Sequence, residues 1–355
     1  MQIFKNNHYL KAAFREKVHQ TPIWIMRQSG RYLPEYNKIK KKSGDFLSLC
    51  LNSDLSSQAA LLPINHFSLD AAIMFSDILI LPYAMGMDIK FLNDFGPKFL
   101  NPIKSRYDIE KLLIPNPEEH INYVLKMIQI VSYEINNKIP LIGFAGSPWT
   151  LACYMLEENV KKSFTKIKKI LYENPKDLHF LLKKLTKSII LYLNAQIHSG
   201  VNAIIIFDTW GGILEQKKYK EFSLYYIKKI IKKLLLIQKT YKIPVTIFTK
   251  NSNQWLKDIA NSGCDVIALD WSIDIQKARK QVGSHVALQG NMDPHVLYAK
   301  KNYIKKEIEL ILSKFGFGEG HIFSLGHGIL PDTDPKKIKF LVDSVHHLSQ
   351  KYHQR

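Results

Sequence analysis

The chain has only three cysteines among 355 residues, and Cys50, Cys153 and Cys264 are too few and too far apart for a disulfide framework or a metal knuckle. They read as small buried hydrophobes. No apolar run approaches the roughly 20 residues needed to cross a bilayer, and the opening residues carry Lys5, Lys11, Arg15, Glu16 and Lys17 without the apolar core of a signal peptide. The expectation is a soluble cytoplasmic protein that neither spans nor binds a membrane. Nucleotide-binding signatures of the GxGxxG and Walker A kind are missing, as are the GxSxG elbow and the HExxH zinc pair. No metal cluster is visible in the spacing of His, Cys, Asp and Glu.

Acidic residues are also scarce, 31 against 50 lysines and arginines, leaving a formal charge of +19. A charge of that size raises the question of nucleic acid, which requires clustered cations along a groove. Here the lysines are spread over helical segments, as in the runs 161–169 and 217–233, and no recognised DNA or RNA module occurs. No nucleic-acid partner is expected. The positive field would attract a polyanionic small molecule instead.

What is present in quantity is apolar residue, 46% of the chain, enough for a large core. It falls into eight short β-prone runs: 23–26, 71–77, 141–147, 203–208, 244–249, 265–270, 285–291 and 321–327. Continuous apolar runs of this length are the pattern of strands buried on both faces. Amphipathic helices alternate with them. Asn116-Pro117, Asn174-Pro175 and Asp334-Pro335 each supply a cap followed by proline at the first helical position, and Gly200 supplies a stop. Strand and helix alternating eight times predicts one (β/α)8 barrel over residues 1–355. The stretch 89–115 breaks the alternation and reads as an insertion, a small hairpin, after the second strand.

In such a barrel the residues closing each strand surround the active site. Here they are Arg27, Asp77, Ser147, Asp208-Thr209, Thr249-Lys250, Asp270, Asn291 and His327, an unusually polar ring. Arginine is rare, six residues in all, yet Arg27 and Arg31 stand together at the end of the first strand. A planar fork suits a carboxylate or phosphate better than lysine does, although buried ion pairs also favour arginine. Asp77 has two readings, a cap for the turn that follows it or a carboxylate set in an apolar cleft to accept N–H groups or steady a cation. His327, between Gly326 and Gly328, is either a core histidine or a group kept bare for a ligand. Tyr154 follows the third strand, where a tyrosine serves packing or presents its hydroxyl.

PIWIMRQSGRYLPEY, MFSDILILPYAMGMDIKF, GFAGSPWTLACYMLE, FDTWGG, LDW, ALQGNMDP and LGHGI, distributed over nearly the whole chain, resemble the uroporphyrinogen decarboxylase family. That resemblance implies a (β/α)8 barrel, usually a homodimer with facing clefts. It implies removal of four acetate carboxyls from uroporphyrinogen III, giving coproporphyrinogen III and carbon dioxide in tetrapyrrole biosynthesis, with neither metal nor organic cofactor. Its functional residues carry over onto Arg27, Gln28, Ser29, Gly30, Arg31, Asp77, Tyr154, Thr209 and His327, with Arg27, Arg31 and Asp77 in the catalytic roles. Met26, Tyr36, Ile73 and Phe207 resemble the apolar walls of its cleft. Two places depart from the family pattern. Thr249-Lys250-Asn251-Ser252-Asn253 stands where a glycine-rich turn is common, and Leu330-Pro331-Asp332 follows the GHGI motif. Asparagine tolerates left-handed backbone, so the first loop is expected to keep its course.

Two other functions share the barrel. A corrinoid or thiol methyltransferase would need a zinc site with a His two residues before a Cys, and no such pair occurs. A porphyrin-binding protein without turnover would keep the cleft, and the presence of Asp77 speaks against it.

Overall fold

A computed structural model describes residues 4–92, 96–157, 163–237 and 242–354. Seven parallel strands form one curled sheet: β1 Ala72–Ile73, β4 Leu141–Gly146, β5 Ala203–Phe207, β6 Val245–Phe248, β7 Val266–Ala268, β8 Ala287–Gln289 and β9 His321–Ile322, in the order β1-β4-β5-β6-β7-β8-β9. The remaining two, β2 Ile89–Leu92 and β3 Gly96–Phe99, make a separate antiparallel hairpin in register Ile89↔Phe99, inside the segment expected to hold one.

Seven of the eight apolar runs become short strands of this sheet. All six residues of β4 are buried, and it pairs with β5 from Ile142↔Ala203 to Gly146↔Phe207. The helix Pro175–Ser199 lies against this pair. A Cβ at Gly143 would fall 2.4 Å from Gln196 Oε1, and Gln196 Nε2 donates to the Phe144 carbonyl at 2.9 Å. Glycine here lets helix and strand approach. The helix ends where expected, at Gly200 with φ +119°.

The expected helix caps fare unequally. Asp334 and Asn116 accept backbone N–H groups from Lys336 and Glu118, but Asn174 makes no side-chain cap; its carbonyl instead receives the Asp177 and Leu178 N–H groups. The helix opened by Asn116 stops after one turn at His120, and a second begins at Asn122.

The first expected strand, 23–26, is corrected to a single parallel bridge, Ile23↔Phe323. The backbone reasons are local. The Ile25 N–H is captured by the Gln28 side chain at 3.1 Å, and the chain turns left-handed at Arg27, φ +62°. What remains still links both edges of the sheet. Phe323 N donates to Pro22 O at 2.8 Å, and Asp70 N donates to Ile23 O at 2.9 Å, just before β1.

Asp70, which the sequence did not single out, fixes this seam. Its fully buried carboxylate accepts the Ile23 N–H at 2.7 Å and the Asn6 amide at 2.8 Å, and it pairs with His346 Nε2 at 2.7 Å. Three distant parts of the chain share one carboxylate, and each supplies the polar partner that its burial requires.

Candidate functional site

The polar ring at the carboxyl ends of the strands divides into two groups. Ser147, Asp208, Thr249, Asp270 and Asn291 are buried and spend their side chains on one another and on backbone. Asp208 receives hydroxyls from Ser147, Thr150, Ser223 and Thr249. Burial pushes its carboxyl up to about 6 while those four donors pull it back. Asp270 takes the Asn251 N–H on one oxygen and the Ser272 N–H and hydroxyl on the other. The Asn291 amide donates to the Asp270 and Ile273 carbonyls. These groups hold the loops in place.

Arg27, Arg31, Asp77, Tyr154, Thr209 and His327 form the second group, all partly or largely exposed. Apart from one oxygen of Asp77, none of their side chains makes a hydrogen bond or ion pair among the described residues.

The arginine loop is rigid beneath its two exposed heads. Gln28 is buried, donating Nε2 to the Ala71 carbonyl at 3.2 Å, and its own carbonyl receives the Tyr32 hydroxyl at 2.7 Å. Ser29 donates its hydroxyl to the Ala59 carbonyl at 2.6 Å. Gln28 and Ser29 therefore serve the loop through their side chains. The backbone N–H groups of Ser29, Gly30 and Arg31 have no acceptor among the described residues. Three N–H groups without a protein acceptor, set between two guanidinium groups, can donate to an anion.

The GHG motif explains how Arg27 is aimed. A Cβ at Gly328 would fall 2.4 Å from Arg27 Cδ, so the side chain lies directly over the bare backbone. Ile329 N donates to Met26 O at 3.0 Å, joining the two loops. Gly326 is bare for a different neighbour, the Trp271 backbone nitrogen, 2.2 Å from where a Cβ would stand. The two glycines thus admit parts of the protein itself.

Asp77 closes its turn with one oxygen and keeps the other available. One carboxylate oxygen accepts the Leu79 N–H at 2.9 Å, closing the turn, and the other is left without a protein donor among the described residues. Burial raises its pKa, and that shift is opposed by the Leu79 hydrogen bond and by the nearby Arg27 charge.

The helix Pro148–Leu156 begins at the Ser147 cap, and Tyr154 is its one residue not buried. Its ring lies 6.1 Å from that of Trp210, whose indole N–H stands beside the hydroxyl without reaching hydrogen-bond geometry. Burial, reinforced by Asp77, pushes the phenol up to about 12, so it stays protonated and able to donate. His327 is no core histidine. It sits edge-on to Phe248 at 6.2 Å and to Trp271 at 5.9 Å, and burial together with the Arg27 and Lys250 charges lowers its pKa to about 4. Near neutral pH it is an uncharged imidazole with one donor and one acceptor.

Of the expected apolar walls, Met26, Ile73 and Phe207 are half-buried at the same end, Phe207 packed edge-on between Phe144 and Phe248. Tyr36 is buried, 5.8 Å from the Phe75 ring. A cavity of about 350 Å³ lies at the opposite, amino ends of the strands, beside Arg15, Arg279, Val286 and Phe315. Its arginines already donate to the Asp265, Phe315 and Phe317 carbonyls.

The sheet and this ring define a parallel α/β protein whose strand ends present arginines, a half-free carboxylate and neutral donors. The sequence model of the family described as uroporphyrinogen decarboxylase (URO-D) matches residues 4–348. The uroporphyrinogen decarboxylase of Wigglesworthia glossinidia brevipalpis is 64% identical over 355 residues, covering 100% of this chain and 99% of its own. That of Klebsiella pneumoniae subsp. pneumoniae is 51% identical over 354 residues, covering both chains fully. This chain belongs to the uroporphyrinogen decarboxylase family.

Among solved structures, a methyltransferase from Methanosarcina mazei superposes with a TM-score of 0.81 at 21% identity, over 97% of this chain and 99% of its own. That likeness concerns the fold alone. Among the described residues no three His, Cys, Asp or Glu side chains gather as metal ligands, and all three cysteines are buried and unpaired.

Proposed function

We propose that this chain removes the four acetate carboxyls of uroporphyrinogen III, yielding coproporphyrinogen III and four carbon dioxide molecules in tetrapyrrole biosynthesis, and that its own side chains suffice as catalytic groups. Family membership at 51–64% identity over the full length supports the reaction. The observation that carries the site assignment is the half-free Asp77 carboxylate standing within electrostatic reach of Arg27 at the open end of the strands.

Each turnover replaces a carbon–carboxylate bond by a carbon–hydrogen bond, so one proton enters for each carbon dioxide lost. Protonation of the pyrrole carbon beside the acetate-bearing carbon makes the ring an electron sink. The carboxylate bond then breaks, its electron pair neutralises the ring cation as an exocyclic double bond, and carbon dioxide leaves. A proton added at that methylene and the ring proton lost give the methyl group. Asp77 accepts the pyrrole N–H groups and stabilises the cationic ring, a charge that exists only along the reaction path. Arg27 and Arg31, with the free N–H groups between them, hold the reacting and neighbouring carboxylates. Tyr154, Thr209 and neutral His327 donate to further carboxylates. Arginine is a poor acid and takes the role of holding the carboxylate.

The seam through Ile23 supports reading the sheet as a closed (β/α)8 barrel, the opening segment acting as a much-shortened eighth strand between β9 and β1. Residues 1–355 form a single domain in this reading, and two resolved calorimetric unfolding transitions would count against it. By family resemblance the protein works as a homodimer in the cytoplasm. No helix among the described residues is long and apolar enough to cross a membrane. Sedimentation equilibrium on the purified chain is expected to give twice the 41.1 kDa chain mass, and a monomer at micromolar concentration would refute the dimer.

The reaction is tested by incubating chelator-treated protein with uroporphyrinogen III in the dark without oxygen, then oxidising and separating the porphyrins by carboxylate count. Stepwise appearance of seven- to four-carboxylate species is expected. Unchanged octacarboxylate with folded protein would leave a porphyrin-binding protein.

A further inference from the structure

We propose that Lys250 is a substrate-positioning residue, which grips a peripheral carboxylate of the octacarboxylate from the wall opposite Arg27. The inference rests on the decarboxylase reading and adds a residue to its site.

The position follows from strand order. Ile23, which leads into Arg27, lies between β9 and β1, and β6, which leads into Lys250, is three strands from β1 and three from β9. The roots of the two side chains therefore stand on opposite sides of the ring. Arg27 and Arg31 occupy one side only, and His327, being neutral, adds no charge. A macrocycle with carboxylates around its whole rim needs a cation on the far side as well.

The construction of this residue separates it from the many solvated lysines of the surface. Its root is fixed on every side. Thr249 donates its hydroxyl to buried Asp208, and the Asn251 N–H donates to buried Asp270. Asn251 holds φ +58°, the left-handed turn that asparagine was expected to tolerate. Gly212 passes so close that a Cβ there would fall 2.0 Å from the Lys250 carbonyl oxygen. Its head is free. The half-buried side chain makes no hydrogen bond or ion pair among the described residues, and its ammonium rests 5.5 Å from the centre of the exposed Trp271 ring. Its charge is felt at His327, whose ring is 5.9 Å from that of Trp271. An anchored stem with an unpaired cation at the mouth of a site is a preorganised carboxylate receptor.

The test compares Lys250→Ala and Lys250→Arg with the unaltered enzyme in two assays. One is steady-state decarboxylation of uroporphyrinogen III; the other is tryptophan quenching by uroporphyrin III, the oxidised octacarboxylate that cannot react. Losing one charge-assisted hydrogen bond should raise KM and the uroporphyrin Kd about tenfold or more in Lys250→Ala. The kcat should stay within about twofold, the melting temperature should be unchanged, and Lys250→Arg should recover most of the affinity. Unchanged KM and Kd in folded Lys250→Ala would overturn the proposal. So would an equal loss in both variants confined to kcat, the mark of a loop disturbed rather than a contact removed. If the unaltered chain binds uroporphyrin without turning over uroporphyrinogen, the decarboxylase reading fails and the Kd comparison still decides Lys250.

Discussion

Replacing Asp77 by asparagine should lower kcat by about 10³-fold or more while the protein remains folded. The loss follows from what the carboxylate faces. One oxygen is spent on the Leu79 N–H, a bond that asparagine can keep, and the other has no protein donor among the described residues, so the change touches chemistry and spares the turn. Removing a single preorganised electrostatic contact to a developing charge costs about 10²–10³ in kcat, and here a full negative charge opposite a cationic ring is removed. KM should change little by comparison, because the ring is uncharged in the ground state. Near-normal turnover in Asp77→Asn would refute the assigned role.

The same substitution should hold or raise the melting temperature at neutral pH. Burial raises the Asp77 pKa above its ordinary value of 3.8, so the native state holds that proton more tightly than the unfolded chain does. As pH rises through this window the native carboxylate must ionise in a poorly solvated place, and stability falls. Asparagine removes that cost. His327 acts at the acid side. Its pKa of about 4 lies below the ordinary 6.5, so the unfolded chain binds the proton more readily and stability falls as pH drops from about 6.5 towards 4.

Arg27→Ala should reduce kcat/KM by about 10²–10³-fold, on the basis of one or two charge-assisted hydrogen bonds of roughly 1.5–3 kcal/mol each. A second signature separates it from a general loss of binding. The Arg27 charge lowers the pKa of Asp77 and of His327, so without it both groups titrate at higher pH. The acid limb of the kcat/KM profile, set by ionised Asp77, should therefore move to higher pH in Arg27→Ala. In Arg27→Lys it should stay near its place, with the planar fork lost and the charge retained. An unmoved limb in Arg27→Ala, with the protein folded, would mean that the two groups do not act on one another.

Seven of the eight expected strands were legible from the residues alone, because a run buried on both faces is apolar at every position and needs no neighbour to be recognised. So were the hairpin near 89–99, the last helix start at Asp334 and the stop at Gly200, each of them a matter of a few adjacent residues. Arg27 and Arg31 stood out because arginine is rare in a lysine-rich chain, and the motifs placed the chain in its family.

Tertiary structure decided how the polar ring divides. In the sequence Asp77, Asp208 and Asp270 are alike, each closing an apolar run. Only packing brings four hydroxyls to Asp208 and the Asn251 and Ser272 donors to Asp270, and leaves one oxygen of Asp77 bare. It also reduced the opening strand to one bridge, since Gln28 reaches back to the Ile25 N–H, and it gave Asp70 a role that joins residues up to 276 positions apart. Gly328 fits the same pattern: its bareness is visible in the sequence, but the Arg27 side chain that needs it arrives from the other end of the chain. Hydrophobic burial is written residue by residue, whereas the partner of a polar group is whatever distant atom the fold delivers, and this site is made of polar groups.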